Sequence, residues 1–385
     1  MNNVTEQVYY VGVNDKTLDL FEGQYILPNG VSYNSYVIMD EKIAIMDMVD
    51  RRAAKEWFEN LSEVLGDKQP DYLIISHLEP DHSANLSEVI ELYPDIRIVS
   101  NEKLFGMLPQ FFNVDIADRK VVVKEGDSLS LGKHELHFVM APMVHWPEVM
   151  VTYESTDKIL FSADGFGKFG ALDVEEDWAC EARRYYFNIV GKYGMPVQTL
   201  LKKAAALDIQ IICPLHGPIL SENLDYYIGL YQTWSSYEPE NKGVFIAYSS
   251  MHGNTKQAAE ELAKLLEAKG VEKVAIADLA REDMAECIED AFRYDRLVVA
   301  CPTYDGAIMP VMQDFIYHLK VKMYQKRTVG IIENGSWAPM AGKIMREQFE
   351  AMKDVTVLEE KVTIRSSLKK NNYEELEILA NKLSQ

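Results

Sequence analysis

The sequence predicts an α/β protein of two domains, and three observations lead there. Residues 241–385 alternate short apolar runs with segments of helical spacing, the pattern of a doubly wound parallel sheet covered on both faces. Residues 1–240 hold four short apolar runs that each end in a turn carrying side chains able to bind a metal. The length, 385 residues, is enough for each half to bury its own core.

Composition narrows the function classes. With 48% hydrophobic and 26% charged residues the chain reads as an ordinary globular protein. A net charge of −21 argues against nucleic acid and anionic lipid surfaces, and it disfavours an acidic protein partner unless a local basic patch receives it. No apolar run approaches the roughly 20 residues that a membrane helix needs. The opening residues have neither a basic nor an apolar region, so no signal peptide is expected. Cys180, Cys213, Cys287 and Cys301 form no C-x-x-C pair, which speaks against a disulfide framework and against a cysteine metal knuckle. The expected location is the cytoplasm.

In chain order, 18–24 and 35–48 alternate or run apolar, with turns at Pro28-Asn29-Gly30 and Asp40-Glu41-Lys42. Residues 52–65 have helical spacing, 72–75 read as a buried strand, and 84–92 as the helix after it. Further strands are expected at 96–99, 120–123, 135–140, 159–162 and 209–213. A change of pattern near Glu238-Pro239-Glu240-Asn241-Lys242-Gly243 places the domain boundary at 240/241. Strands then follow at 244–248, 274–278, 296–300 and 328–332, with helices at 255–269, 284–292, 311–320, 340–352 and 373–383.

The strand 72–75 runs into Ser76-His77-Leu78-Glu79-Pro80-Asp81-His82-Ser83. Pro80 is expected to keep this turn from being helical. Two imidazoles and two carboxylates crowded at a strand end repel and desolvate badly unless something positive lies between them. Taken alone, the turn is also compatible with a solvated acidic loop. Three more strand ends weigh against that: His145 follows 136–141, Asp164 follows 159–162, and His216 follows 209–213. Sheets of this class collect ligands just past their carboxyl strand ends. His134 and His137 flank a strand without a partner motif, and they are expected, with His318, to be surface or packing residues.

The turn resembles the H-x-[EH]-x-D-H signature of the metallo-β-lactamase-like fold, and Glu79 within it resembles the flavodiiron proteins. That likeness implies an αββα sandwich for residues 1–240, with 31–38 as its early hairpin. It further implies that His77, Glu79 and His145 hold one iron, that Asp81, His82 and His216 hold the other, and that Asp164 bridges, with an oxide or hydroxide between the metals. Such a mixed nitrogen and oxygen shell suits non-haem iron. The zinc hydrolases of this fold usually carry histidine where Glu79 stands; a carboxylate there adds negative charge and stabilises the ferric state. A tyrosine lies near the irons in many members, and Tyr193 is the candidate here, with core packing as its alternative role. The histidine that some members carry near the first hairpin is missing before His77.

In the second domain the first strand opens into Tyr248-Ser249-Ser250-Met251-His252-Gly253-Asn254-Thr255 and a helix. Hydroxyls and backbone N–H groups at a helix start can hold a phosphate, although a serine-rich turn alone is also an ordinary N-cap. Two more strand-end loops, Cys301-Pro302-Thr303-Tyr304-Asp305-Gly306-Ala307 and Glu333-Asn334-Gly335-Ser336-Trp337-Ala338-Pro339, add aromatic residues and flexible backbone suited to a flavin ring. The domain resembles flavodoxin, which implies FMN at the strand-order switch point. It lacks the G-x-G-x-x-G fingerprint of dinucleotide sites.

The resemblance covers nearly the whole chain and implies an oxidoreductase that reduces dioxygen to water, or nitric oxide to nitrous oxide. Electrons would come from rubredoxin or a similar small carrier, a reduced deazaflavin being another donor. It also implies a head-to-tail homodimer, or a dimer of such dimers, in which one chain's FMN faces the other chain's irons. The alternatives are a dizinc hydrolase with a regulatory flavodoxin domain and a flavin electron carrier without a metal site.

Overall fold

In the computed structural model, which describes residues 2–385, the apolar runs of the N-terminal half pair into two facing sheets. One has seven strands in the spatial order Asn2–Asn3, Val8–Tyr10, Tyr36–Ile38, Ala44–Met46, Tyr72–Ile74, Arg97–Ser100 and Lys120–Val122. The other has five: Ser128–Ser130, Glu135–Met140, Met150–Glu154, Ile159–Phe161 and Ile211–Cys213. Ile38, Met46, Ile74 and Val99 of the first meet Leu136, Phe138, Ile159 and Phe161 of the second in one buried cluster. Helices close the outer faces; Ala54–Leu65 buries Trp57, Leu61 and Leu65 along one side. These are the αββα layers expected of the N-terminal part.

Strand direction decides where the ligand loops emerge. Tyr72–Ile74 runs parallel to both its neighbours, and Ile159–Phe161 runs parallel to Ile211–Cys213 with Phe161 opposite Cys213. A backbone hydrogen bond then joins the loops across the two sheets, Met150 N to Ser76 O at 3.0 Å, while Leu215 N to Ala163 O at 2.9 Å and Met48 N to His82 O at 3.2 Å tie neighbouring loops within each sheet.

One local expectation is corrected. Pro80 does not prevent a helix; it begins one, the single turn Pro80–Ser83. Proline at the first helical position loses no hydrogen bond, because that N–H would be unpaired anyway. The turn places Asp81 and His82 on a rigid element.

The C-terminal sheet has five strands in the spatial order Val274–Asp278, Asn241–Tyr248, Tyr294–Tyr304, Arg327–Asn334 and Val355–Ile364, all parallel, and the short Ala307–Ile308 pairs antiparallel with the end of Tyr294–Tyr304. In chain order this is 2-1-3-4-5, the flavodoxin arrangement. The helices Asn254–Ala268 and Lys370–Leu383 bury Leu262, Leu266, Leu379 and Leu383 against it. The strand Val355–Ile364 was not expected. It is an edge strand, half exposed and carrying Glu359, Glu360 and Lys361, so no apolar run announces it.

By its internal contacts the chain forms two units, Met1–Tyr186 with Met195–Gln232, and Phe187–Gly194 with Thr233–Gln385.

Candidate functional site

The four strand-end loops of the first unit bring all seven expected side chains into two groups. His77, Glu79, His145 and Asp164 each offer a ligand atom, and these atoms lie within 4.8 Å of one another; Asp81, His82 and His216 do the same. Asp164 is the carboxylate that reaches both: Oδ2 lies 3.1 Å from His77 Nε2 and 3.5 Å from His145 Nε2, and Oδ1 lies 3.7 Å from His216 Nε2. Glu79 Oε2 is 3.0 Å from His145 Nε2, and Asp81 Oδ2 is 3.2 Å from His216 Nε2.

The donor atoms are set up for cations. His82 Nδ1 lies 2.9 Å from the Met48 carbonyl and His216 Nδ1 lies 2.8 Å from the Ser32 carbonyl. Donation to those carbonyls commits Nδ1 of each ring and leaves Nε2 as the atom turned toward the cluster. The two Nε2 atoms nevertheless face each other at 3.3 Å. Burial and then the neighbouring His216 push the His82 ring well below the usual histidine range, so it stays neutral. Both oxygens of Asp81, both ring nitrogens of His77 and Oδ2 of Asp164 are buried without a hydrogen bond. Orphaned buried polar atoms are costly unless a bound ion satisfies them. Burial opposes ionisation of Asp164, but His77, His145 and His216 hold its carboxyl far below the usual range. This site fits a pair of metal ions.

Surrounding groups hold the loops in place. The fully buried Asp47 carboxylate accepts the Ser76 N–H at 2.6 Å and the Ser76 hydroxyl at 2.7 Å. Burial pushes Asp47 up to about 6, and those two bonds limit the rise. Glu148 accepts the Leu78 N–H at 2.9 Å, while Asn34 donates to the carbonyls of Pro214 and Gly217 at 2.8 and 2.7 Å. Phe21 meets the His216 ring edge-on, with centroids 5.4 Å apart. Asp47→Ala is expected to cost roughly 2–4 kcal/mol, since it removes two buried hydrogen bonds and orphans their donors. Denaturant unfolding should show that loss, with iron content falling and FMN content unchanged.

In the second unit a cavity of about 410 Å³ opens at the carboxyl ends of Asn241–Tyr248, Tyr294–Tyr304 and Arg327–Asn334. Ser250, Met251, His252, Asn254 and Thr255 line one side, and Pro302, Thr303, Asp305 and Gly306 another. Asn334, Gly335, Ser336 and Trp337 complete it. The loop turns at Gly253, whose φ of +86° favours glycine, and Ser250 Oγ accepts the Gly253 N–H at 3.1 Å. The helix Asn254–Ala268 starts there without a side-chain cap, which leaves its first N–H groups for an anion. Trp337 is 89% exposed, an aromatic plane beside the opening. The cavity fits FMN: uncapped N–H groups at a helix start that suit a phosphate, and an exposed aromatic plane that suits a flavin ring.

Residues 31–217 match the family described as ODP family beta lactamase, and residues 245–364 match a flavodoxin domain. The rubredoxin oxygen:oxidoreductase of the anaerobe Desulfovibrio gigas superposes with a TM-score of 0.92 at 26% identity, over 100% of this chain and 97% of that one. The flavodiiron protein of Giardia intestinalis shares the fold at a TM-score of 0.91 and 23% identity, over 99% and 95% of the two chains. A nitric oxide reductase of Moorella thermoacetica is 31% identical over 377 residues, 94% of this chain and 92% of the relative. The chain belongs to the flavodiiron proteins.

As a flavodiiron protein it is an oxidoreductase whose cofactors are FMN and a non-haem diiron pair. Two groups of residues differ from the sequence reading. Tyr193 groups with the second unit, beside Lys192. The tyrosine that hydrogen-bonds the ligand cluster is Tyr185, whose hydroxyl donates to Asp164 Oδ1 at 3.0 Å. Its surroundings hid it, because Arg183 and Arg184 beside it suggest a solvent-facing helix and yet are almost fully buried. Around the flavin cavity, Ser249 points inward, its hydroxyl 3.4 Å from the Cys301 sulfur. Gly253 contributes backbone shape, and Tyr304 and Ala307 do not line the cavity. Ala338, in the loop already expected there, also lines it, and so do Met340 and Ser366, which were missed. Ser366 follows the unexpected edge strand and hydrogen-bonds Ser336 at 2.7 Å, so finding the strand would have found it.

Among the described residues, no helix is long and apolar enough to cross a membrane, and the four cysteines are free thiols.

Proposed function

We propose that this flavodiiron protein reduces dioxygen to water, with electrons from rubredoxin or a similar small carrier, in the cytoplasm. The observation that carries this reading is Asp164, a buried carboxylate within reach of both ligand groups. With Glu79 and Asp81 it puts three carboxylates around the metal pair, a charge that favours redox-active iron over the zinc of hydrolases. His77, Glu79 and His145 would hold one iron and Asp81, His82 and His216 the other, with Asp164 shared between the two groups. The loops 249–255, 302–307 and 334–337 hold FMN. The boundary between the two cofactor domains falls at 240/241, where the first strand of the flavin sheet begins. When bound, the iron pair and FMN together store electrons and give dioxygen a place to be reduced. The chain's part is positional: hydrogen bonds fix the histidine tautomers, Asp47 and Glu148 fix the ligand turn, and Phe21 shields His216 from water.

The likeness to the Desulfovibrio gigas enzyme supports dioxygen as substrate and rubredoxin as donor. Nitric oxide is the second reading, supported by the Moorella thermoacetica relative. Initial rates with each gas, measured on iron- and FMN-loaded protein with reduced rubredoxin, decide between them. Faster dioxygen consumption supports the first reading, and faster nitric oxide consumption overturns it. Stoichiometric zinc with hydrolase activity, and no oxidase activity after iron loading, would overturn both.

Glu79→His tests the charge argument. Replacing a carboxylate by a neutral imidazole should raise the potential of the diiron couple, slow dioxygen reduction and increase zinc uptake, while FMN content stays the same. Spectroelectrochemistry and metal analysis read these effects, and unchanged turnover with full iron loading would remove Glu79 from the ligand set.

We further propose a head-to-tail homodimer, alone or paired into a dimer of dimers, in which the flavin loops of one chain face the ligand cluster of its partner. A two-fold dimer supplies that pairing twice.

A further inference from the structure

His134 was expected to be a surface or packing residue, and the structure places it in the interior. Its ring is fully buried, and Nδ1 donates to Asp40 Oδ2 at 2.8 Å. The same oxygen accepts the His134 backbone N–H at 2.7 Å. With Nδ1 committed to a carboxylate, the neutral ring carries its lone pair on Nε2. That nitrogen is buried, has no hydrogen-bond partner, and lies 3.5 Å from Asp157 Oδ2. Glu154, also fully buried, completes the group, and one donor atom from each of the three lies within 4.8 Å of the others. A lone pair set against carboxylate oxygens in a buried pocket is repulsive unless a positive centre separates them.

The spacing favours a metal ion as that centre. A hydrogen bond from a charged ring to a carboxylate is about 2.8 Å long. Two donors each about 2.0–2.1 Å from one zinc, at a tetrahedral angle, lie roughly 3.3 Å apart. The carboxylates are held ready. Glu154 accepts the N–H groups of Thr156 and Asp157, both at 2.7 Å, and Asp157 Oδ2 accepts the Thr5 hydroxyl at 2.5 Å. The Asp157 side chain is 23% exposed, which gives an ion a way in.

We propose that His134, Glu154 and Asp157 form a structural site for a divalent transition-metal ion, zinc by its donor set, with water as the remaining ligand. The pattern is a carboxylate, Asp40, orienting a histidine whose other nitrogen binds metal. The site is separate from the iron pair. Met150, at the start of strand Met150–Glu154, bonds Ser76 beside the iron ligands, and Glu154 lies at the far end, about 13 Å along the strand. Asp40 follows the first-sheet strand Tyr36–Ile38, while the three ligands come from the second sheet, Glu154 from a strand end and His134 and Asp157 from the turns beside it. A bound ion therefore ties together two strand connections of the second sheet at the end away from the irons, and fixes the His134 ring whose Nδ1 bonds Asp40 of the first sheet.

The test uses protein already loaded with iron and FMN, incubated with zinc and freed of excess by gel filtration. Expected are one zinc per chain beyond the iron, a thermal midpoint that rises with zinc concentration, and unchanged iron content and turnover. Asp157→Asn and His134→Gln should each weaken zinc binding at least tenfold and abolish the zinc-dependent rise, again with iron and turnover retained. Asp157 is partly exposed, so its variant folds even if the buried His134 substitution does not. Zinc gained only as iron is lost, a midpoint independent of zinc, or equal zinc binding by wild type and Asp157→Asn would each overturn the proposal in favour of a doubly protonated His134 clamped between Asp40 and Asp157.

Discussion

Asp164→Ala is expected to leave FMN content unchanged while abolishing both iron binding and turnover with either gas. The reason is its reach. One oxygen lies 3.1 Å from His77 Nε2 and the other 3.7 Å from His216 Nε2, so a single side chain serves both ligand groups. Substitution of groups that merely orient a metal ligand costs about 10–100-fold in affinity or activity. Loss of a carboxylate shared by two metals should exceed roughly a hundredfold. The Tyr185 hydroxyl also loses its acceptor, and His77 and His145 lose the charge that offsets their burial. Breaking one side of such a buried charged network typically costs roughly 3–5 kcal/mol. Iron content by metal analysis, flavin content by absorbance and gas consumption by electrode give the three readings. A variant that kept full iron and turnover would show that Asp164 does not bridge.

Two inactive variants mixed together should regain about a quarter of full activity, if each flavin serves the partner's irons. One parent, Asp81→Ala with His145→Ala, lacks a ligand from each group and should lose iron. The other, Gly253→Asp, places a carboxylate at the start of the helix Asn254–Ala268, where it repels the FMN phosphate. A Cβ at Gly253 meets nothing within 4 Å, so the substitution adds no clash; its φ of +86° costs an aspartate roughly 1 kcal/mol. After subunit exchange of equal amounts, roughly half the dimers are mixed, and each mixed dimer has one complete flavin–iron pairing out of two. If each chain worked by itself, neither parent would hold both cofactors and no activity would return. That result would retire the dimer model.

Much of this was legible in the sequence because it is local chemistry. A strand is a short apolar run and a turn is marked by its residues, so His77, Glu79, Asp81, His82, His145, Asp164 and His216 could be placed just past strand ends from the chain alone. The alternation of strands and helices after residue 240 likewise implies a parallel sheet, and the hydroxyl-rich turn at 249–255 marks one side of its cavity. Only the tertiary structure decided how those pieces face one another, since that depends on register between strands far apart in sequence. Pairing Phe161 with Cys213 carries Asp164 and His216 to the same rim. Bonds to the Met48 and Ser32 carbonyls then turn two rings so that their nitrogens meet at 3.3 Å. Context overrode local signals in the same way elsewhere. Two buried arginines concealed Tyr185, a charged edge strand concealed Ser366, and His134 found Asp40 across the sandwich. Such partners are chosen by packing between elements, and no window of neighbouring residues contains that information.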